Sequence, residues 1–113
     1  MTEARIQEII VNYINLQYPK ARYCASLGGI RTGKKQGAKA RKTGYVKGFP
    51  DLQITEARKG YFGLFIELKK DKKAYPSPAQ KIWLKDLNER GYLALCCKGL
   101  DATIEAIDNY LGE

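Results

Sequence analysis

A chain of 113 residues with 44% hydrophobic side chains has material for one core and is too short for two ordinary domains, so residues 1–113 are expected to form a single domain. It contains no histidine, and its three cysteines, Cys24, Cys96 and Cys97, show no C-x-x-C spacing, which sets aside zinc sites, serine–histidine triads, cysteine–histidine pairs and histidine-based nuclease chemistry. The formal charge of +8 is concentrated in residues 9–50, which hold nine lysines or arginines and no acid, and a stretch of one sign implies a polyanionic partner, nucleic acid before any other.

Thr2 can cap a first helix, because Ile6, Ile9, Ile10, Tyr13 and Ile14 recur at helical spacing until Tyr18–Pro19 stops it. Glu3 falls on this apolar stripe and points inward, whereas Glu8 falls on the opposite face. Arg22–Leu27 reads as a short strand ended by Gly28–Gly29. The basic stretch Ile30–Lys47 follows, divided by Gly33, Gly37 and Gly44, and is expected to be a loop with one short helix around Gln36–Lys42. Phe49–Thr55 and Tyr61–Lys69 read as a strand pair joined by the turn Ala57–Gly60. Leu64–Phe65–Ile66 is apolar without alternation, as in a central strand covered on both faces, and Glu67 is an acid embedded at its end. Ser77, Pro78 and Gln80 form the capping box of a helix whose buried side is assigned to Ile82, Trp83, Leu84 and Leu87. Gly91 ends it, Tyr92–Cys97 is a buried strand in which Cys96 and Cys97 serve packing, and Asp101 starts a last helix carrying Ile104, Ile107 and Leu111. The order is an α/β sandwich around a mixed sheet. No apolar run approaches the ~20 residues that a bilayer demands, and the N-terminus has no signal-peptide pattern, so a soluble, cytoplasmic protein without a membrane partner is expected.

Glu67 and Lys69, one residue apart in a strand, leave the same face while Ile66 and Leu68 turn to the other. A carboxylate at the end of a buried apolar strand is costly without compensation, and a hard divalent cation held by oxygens is one compensation. Asp51 offers a second carboxylate at the start of the neighbouring strand, where antiparallel pairing can bring it near Glu67. Together they could bind Mg²⁺, with the main-chain carbonyl of Leu68 as a further ligand and Lys69 orienting a water and stabilising a pentacovalent phosphate. The plain structural alternative is a strand-end ion pair and a turn residue after proline, and for an isolated E-x-K that alternative prevails.

Three segments together change that balance: Gly48–Phe49–Pro50–Asp51, Phe65–Ile66–Glu67–Leu68–Lys69, and Ser77–Pro78–Ala79–Gln80 opening a helix. In this order, after an acid in a first helix and a basic glycine-containing stretch, the chain resembles the virus-type replication-repair nucleases (VRR-NUC) of the PD-(D/E)xK superfamily over nearly its whole length. The resemblance implies a restriction-endonuclease-like α/β fold, a central mixed four-stranded sheet flanked by helices. It implies metal-dependent phosphodiester cleavage, with Mg²⁺ as cofactor and Mn²⁺ able to substitute, and, for stand-alone members, action on branched DNA as a homodimer, Holliday junctions foremost. Carried over by position, Asp51 and Glu67 would be metal ligands, Lys69 the catalytic lysine, Glu3 the helix acid near the metal and Gln80 a residue facing the site. Glu3 has an equally good explanation as a helix-dipole acid, and Gln80 as a capping residue. Arg31, Lys34, Lys35, Lys39, Arg41, Lys42 and Lys47 are expected to grip DNA phosphates without reading bases. Tyr45, Tyr61 and Tyr75 could stack on an unpaired base, with packing the commoner role for such residues. A non-catalytic nucleic-acid-binding module and a restriction-type nuclease on the same fold are the alternatives, since fold does not fix substrate.

Overall fold

The structure, a computed structural model, describes residues 1–26 and 34–112, with the backbone alone at Lys34 and Lys35. In chain order the elements are α1 (Glu3–Gln17), β1 (Tyr23–Ala25), α2 (Lys34–Lys42), β2 (Leu52–Ile54), β3 (Leu64–Lys69), α3 (Pro78–Glu89), β4 (Leu93–Lys98) and α4 (Leu100–Leu111). They build a mixed four-stranded sheet in the order β1-β2-β3-β4, antiparallel except for the parallel pair β3–β4 that α3 connects. Helices flank the sheet, in agreement with the restriction-endonuclease-like expectation.

Alternation along β3 explains its unbroken apolar run. Leu64, Ile66 and Leu68 turn into a core shared with Ile6, Ile10 and Ile14 of α1 and with Ile107, Tyr110 and Leu111 of α4. Phe65 turns the other way, into a smaller cluster with Leu87 and Ala94, walled by Phe49, Trp83, Leu84 and Tyr92. Both faces of this strand are therefore dry. Burying each Leu or Ile of the larger core contributes ~1.5–3 kcal/mol relative to exposure. The two helices over that core are tied by polar contacts, since the Tyr13 and Tyr18 hydroxyls both donate to Asp108 Oδ1, at 2.7 and 2.6 Å.

Helix starts follow their capping signals. The Thr2 hydroxyl accepts the Arg5 N–H at 3.1 Å, and Ser77 with Gln80 forms the expected reciprocal box. Four expectations need correction. Ile82 is 69% exposed, because Trp83, Leu84 and Leu87 define the inward stripe of α3 and Ile82 falls beside it. The third strand begins at Leu64 rather than Tyr61: Tyr61 makes only an isolated bridge to Arg58, and Phe62 gives its N–H to the Gly91 carbonyl. Its ring lies where a Gly91 Cβ would stand, 2.6 Å away, so this segment packs against the end of α3 instead of extending the ladder. The basic helix is longer than expected, from Lys34, and α4 starts at Leu100 behind Gly99 without a side-chain cap from Asp101. Among the described residues, no helix is long and apolar enough to cross a membrane.

Candidate active site

The register Leu52↔Ile66 places Asp51, one step beyond β2, opposite Glu67 in the antiparallel ladder. The Asp51 carbonyl accepts the Ser26 N–H at 2.9 Å, and its carboxylate Oδ2 accepts the Leu68 N–H at 2.7 Å, so the side chain is fixed against β3. Glu67 is 2% exposed at the centre of this arrangement. Its Oε2 accepts from Gln80 Nε2 at 3.1 Å and lies 3.9 Å from Lys69 Nζ. Its Oε1, equally buried, has no hydrogen-bond partner among the described residues.

An unpartnered buried carboxylate oxygen calls for a proton, a water or a cation. Desolvation, then the neighbouring Asp51 carboxyl, push the Glu67 carboxyl up to about 9, and Lys69 only partly opposes them. Glu3, half-buried in the first turn of α1, adds a smaller push in the same direction, so its charge reaches the site. A carboxyl held so far above its ordinary range marks a place where positive charge is favourable.

Gln80 makes two contacts at once. Its Oε1 accepts the Ser77 N–H at 2.7 Å to close the capping box, which leaves its amide group aimed at Glu67. Gly48 is what lets α3 come so near. It sits at φ +92°, and a Cβ there would lie 2.7 Å from the Ala79 carbonyl carbon, inside the first turn of α3. The G-x-P-D and S-P-x-Q segments are thus locked together by one backbone approach. Beside them lies a cavity of about 170 Å³ lined by Tyr45, Lys47, Gly48, Asp51, Ser77 and Gln80. The Tyr45 hydroxyl is raised from its ordinary range by burial and then by the Asp51 and Glu67 charges. A larger cavity of about 470 Å³, between β4 and α4, is walled chiefly by apolar side chains such as Leu93, Leu95 and Ala106 and brings no carboxyl pair together, so size does not mark the chemistry.

Of the basic residues, Lys39, Arg41 and Lys42 are exposed at the end of α2, and Lys47 is exposed at the rim of the small cavity. Lys34 and Lys35 open α2, and Arg31 lies outside the described residues. Sequence reasoning passed over Lys98. In register with Lys69 on the parallel neighbour, it rests its Nζ 3.6 Å above the Tyr75 ring, on the flank of the site. Its signal was its place two residues after Cys96, which pairs with Glu67. Among the described residues, no three His, Cys, Asp or Glu side chains gather into a ready metal cluster, so the oxygen donors here are one carboxyl pair and nearby main-chain carbonyls.

The chain and its fold match known proteins. The VRR-NUC domain model fits residues 1–101. A solved structure described as a VRR_NUC domain protein superposes with a TM-score of 0.84 at 35% identity, covering 98% of this chain and 88% of that one. None of the curated proteins compared matches. The chain therefore belongs to the VRR-NUC family, and its fold is that of a PD-(D/E)xK-type nuclease domain.

Proposed function

We propose that this chain is a divalent-metal-dependent, structure-selective endodeoxyribonuclease that hydrolyses phosphodiester bonds in branched DNA, Holliday junctions foremost, with Mg²⁺ as the working ion and Mn²⁺ as a substitute. The observation that carries it is the orphaned, buried Oε1 of Glu67 facing a second carboxyl, Asp51, at the end of a strand that also bears Lys69. Two carboxylate donors suit a hard cation, and Asp51 and Glu67 would hold it together with the Leu68 main-chain carbonyl. When bound, the ion makes a nearby water more acidic and neutralises charge on the phosphate.

The protein's own groups do the rest. Lys69 directs its Nζ toward the attacking water and toward the phosphate oxygens, where negative charge grows as the new P–O bond forms and the bond to the leaving sugar oxygen breaks. Gln80 fixes the orientation of the Glu67 carboxyl through its amide, and Glu3 strengthens the negative field that attracts the cation. Lys47 and the basic end of α2 neutralise phosphates to either side of the cavity, with Arg31, Lys34 and Lys35 extending the same grip. A homodimer goes with this reading, because symmetric cleavage of a four-way junction needs two sites and one chain of this size supplies one.

The test is a panel of end-labelled duplex, flap, fork and four-way-junction DNAs incubated with Mg²⁺ or Mn²⁺, with light scattering on the same samples. Cleavage at junctions before linear duplex, by a dimer, is the expected result. Cleavage of linear duplex at fixed sequences would replace it with a restriction-type activity, and monomers with and without junction DNA would remove the dimer.

A further inference from the structure

Among the described residues, α3 packs against the β3–β4 half of its sheet face, and a groove of about 400 Å³ lies on the β1–β2 half. The floor is Cys24 and Gln53, register partners on β1 and β2, and the walls are Tyr45, Val46, Phe49 and Trp83. Phe49 is held edge-on against Trp83 at 4.9 Å between ring centroids and against Phe65 at 5.6 Å, so the wall is a packed aromatic cluster. Tyr45 and Phe49 also line the small cavity on Asp51, which makes the two spaces neighbours. Val46 is 55% exposed, and the Gln53 side-chain amide hydrogen-bonds no described residue. Lys47 lines the small cavity, and the exposed cations at the end of α2 lie three to six residues before Tyr45.

We infer that this groove holds one unstacked nucleobase of the strand being cut, while the adjoining phosphate occupies the cavity on Asp51. This assignment rests on the nuclease reading. Its chemistry is that of single-strand recognition: rings to stack against, an amide able to donate to and accept from a base edge, and cations flanking for the backbone. A volume of about 400 Å³ lies within the ~300–1,000 Å³ usual for small-ligand sites. A paired base in linear duplex would have to be extruded to enter, at the cost of its stacking and pairing, whereas an unpaired base at a branch would not. The groove would thereby give a preference for branched substrates from a single protomer.

Abasic scanning of the full chain's DNA decides it. In EDTA, where binding is read apart from cleavage, flap and four-way-junction DNAs carry one abasic nucleotide at successive positions around the branch. The expected result is one position at which affinity falls roughly 5- to 150-fold, the range for losing one base–aromatic stack. Cys24→Trp, which fills the floor from an exposed position, should bind intact DNA as weakly as wild type binds the abasic form and show no further loss on it. Cys24→Ser, which leaves the space open, should behave as wild type. A flat abasic scan, or the same abasic loss in Cys24→Trp, overturns the groove assignment, and the scan on wild type decides even if Cys24→Trp does not fold. The same DNAs in Mn²⁺ separate the two readings: cleavage with a flat scan removes the groove alone, whereas a positional abasic loss without cleavage of any DNA removes the nuclease reading and leaves the groove.

Discussion

Glu67 is costly for the metal-free fold and is the residue on which the proposed chemistry depends. Its carboxyl, at about 9 when folded, titrates near 4.5 when unfolded, so between those values the native state binds more protons. The sign follows: this stabilisation is fully present below about pH 4.5 and is lost as pH rises toward about 9. Thermal melts of metal-free protein should show wild type falling in Tm across that window relative to Glu67→Gln, which has no proton to lose. Equal slopes in both would mean that Glu67 does not titrate there. A divalent ion should reverse the trend in wild type, since it displaces the proton and binds more tightly as pH rises. Gln80 invites a second substitution. Gln80→Glu keeps an acceptor for the Ser77 N–H but exchanges the amide that donates to Glu67 at 3.1 Å for a third carboxyl beside Asp51 and Glu67. Melts near neutral pH should show it destabilised without metal and restored by Mn²⁺, whereas Gln80→Ala, which loses the reciprocal half of the capping box while Ser77 still accepts the backbone N–H at position 80, should be restored only in part.

At the scale of elements, the site is a junction of β2, β3 and α3, and Gly48 sets the distance between them. Gly48→Ala places a Cβ within 2.7–2.9 Å of Ala79 backbone and side-chain atoms at φ +92°. Strain of this kind costs of order 1–3 kcal/mol, and relief requires α3 to move outward with Gln80. We expect a lower Tm together with weaker divalent-ion binding, read by denaturation and calorimetry; a stability loss with metal affinity intact would show that α3 does not position the carboxyl pair. Much of this was legible beforehand. Apolar continuity at Leu64–Ile66 declared a strand covered on both faces, and the capping box fixed the start of α3. What was not legible depended on tertiary contacts. Tyr61 and Phe62 have strand-forming side chains, yet the approach of Phe62 to Gly91 draws them from the ladder, and periodicity alone could not say which flank of α3 would leave Ile82 in water. Lys98 was hidden because the parallel register that sets it beside Lys69 passes through a helix crossover.

Across the whole molecule, charge and site are arranged together: the excess positive charge of residues 9–50 leads into Lys47 and the cavity on Asp51, and α1 brings Glu3 within electrostatic reach of Glu67. Neutralising Lys39, Arg41, Lys42 and Lys47 should flatten the salt dependence of DNA affinity, by up to ~0.9 log–log units for each phosphate no longer neutralised, with little effect on melting temperature. An unchanged slope would move the DNA-binding surface elsewhere. The central claim is that the Asp51–Glu67 carboxyl pair is a cation site used for phosphodiester hydrolysis. Calorimetric titration of Mg²⁺ and Mn²⁺ into wild type, Glu67→Gln and Lys69→Ala, beside cleavage of labelled junction DNA by the same three proteins, tests it most directly. Metal binding should be lost in Glu67→Gln and retained in Lys69→Ala, with cleavage lost in both and DNA affinity largely kept. If Glu67→Gln binds metal and cuts as wild type does, or if wild type binds no divalent ion with or without DNA, the claim is contradicted.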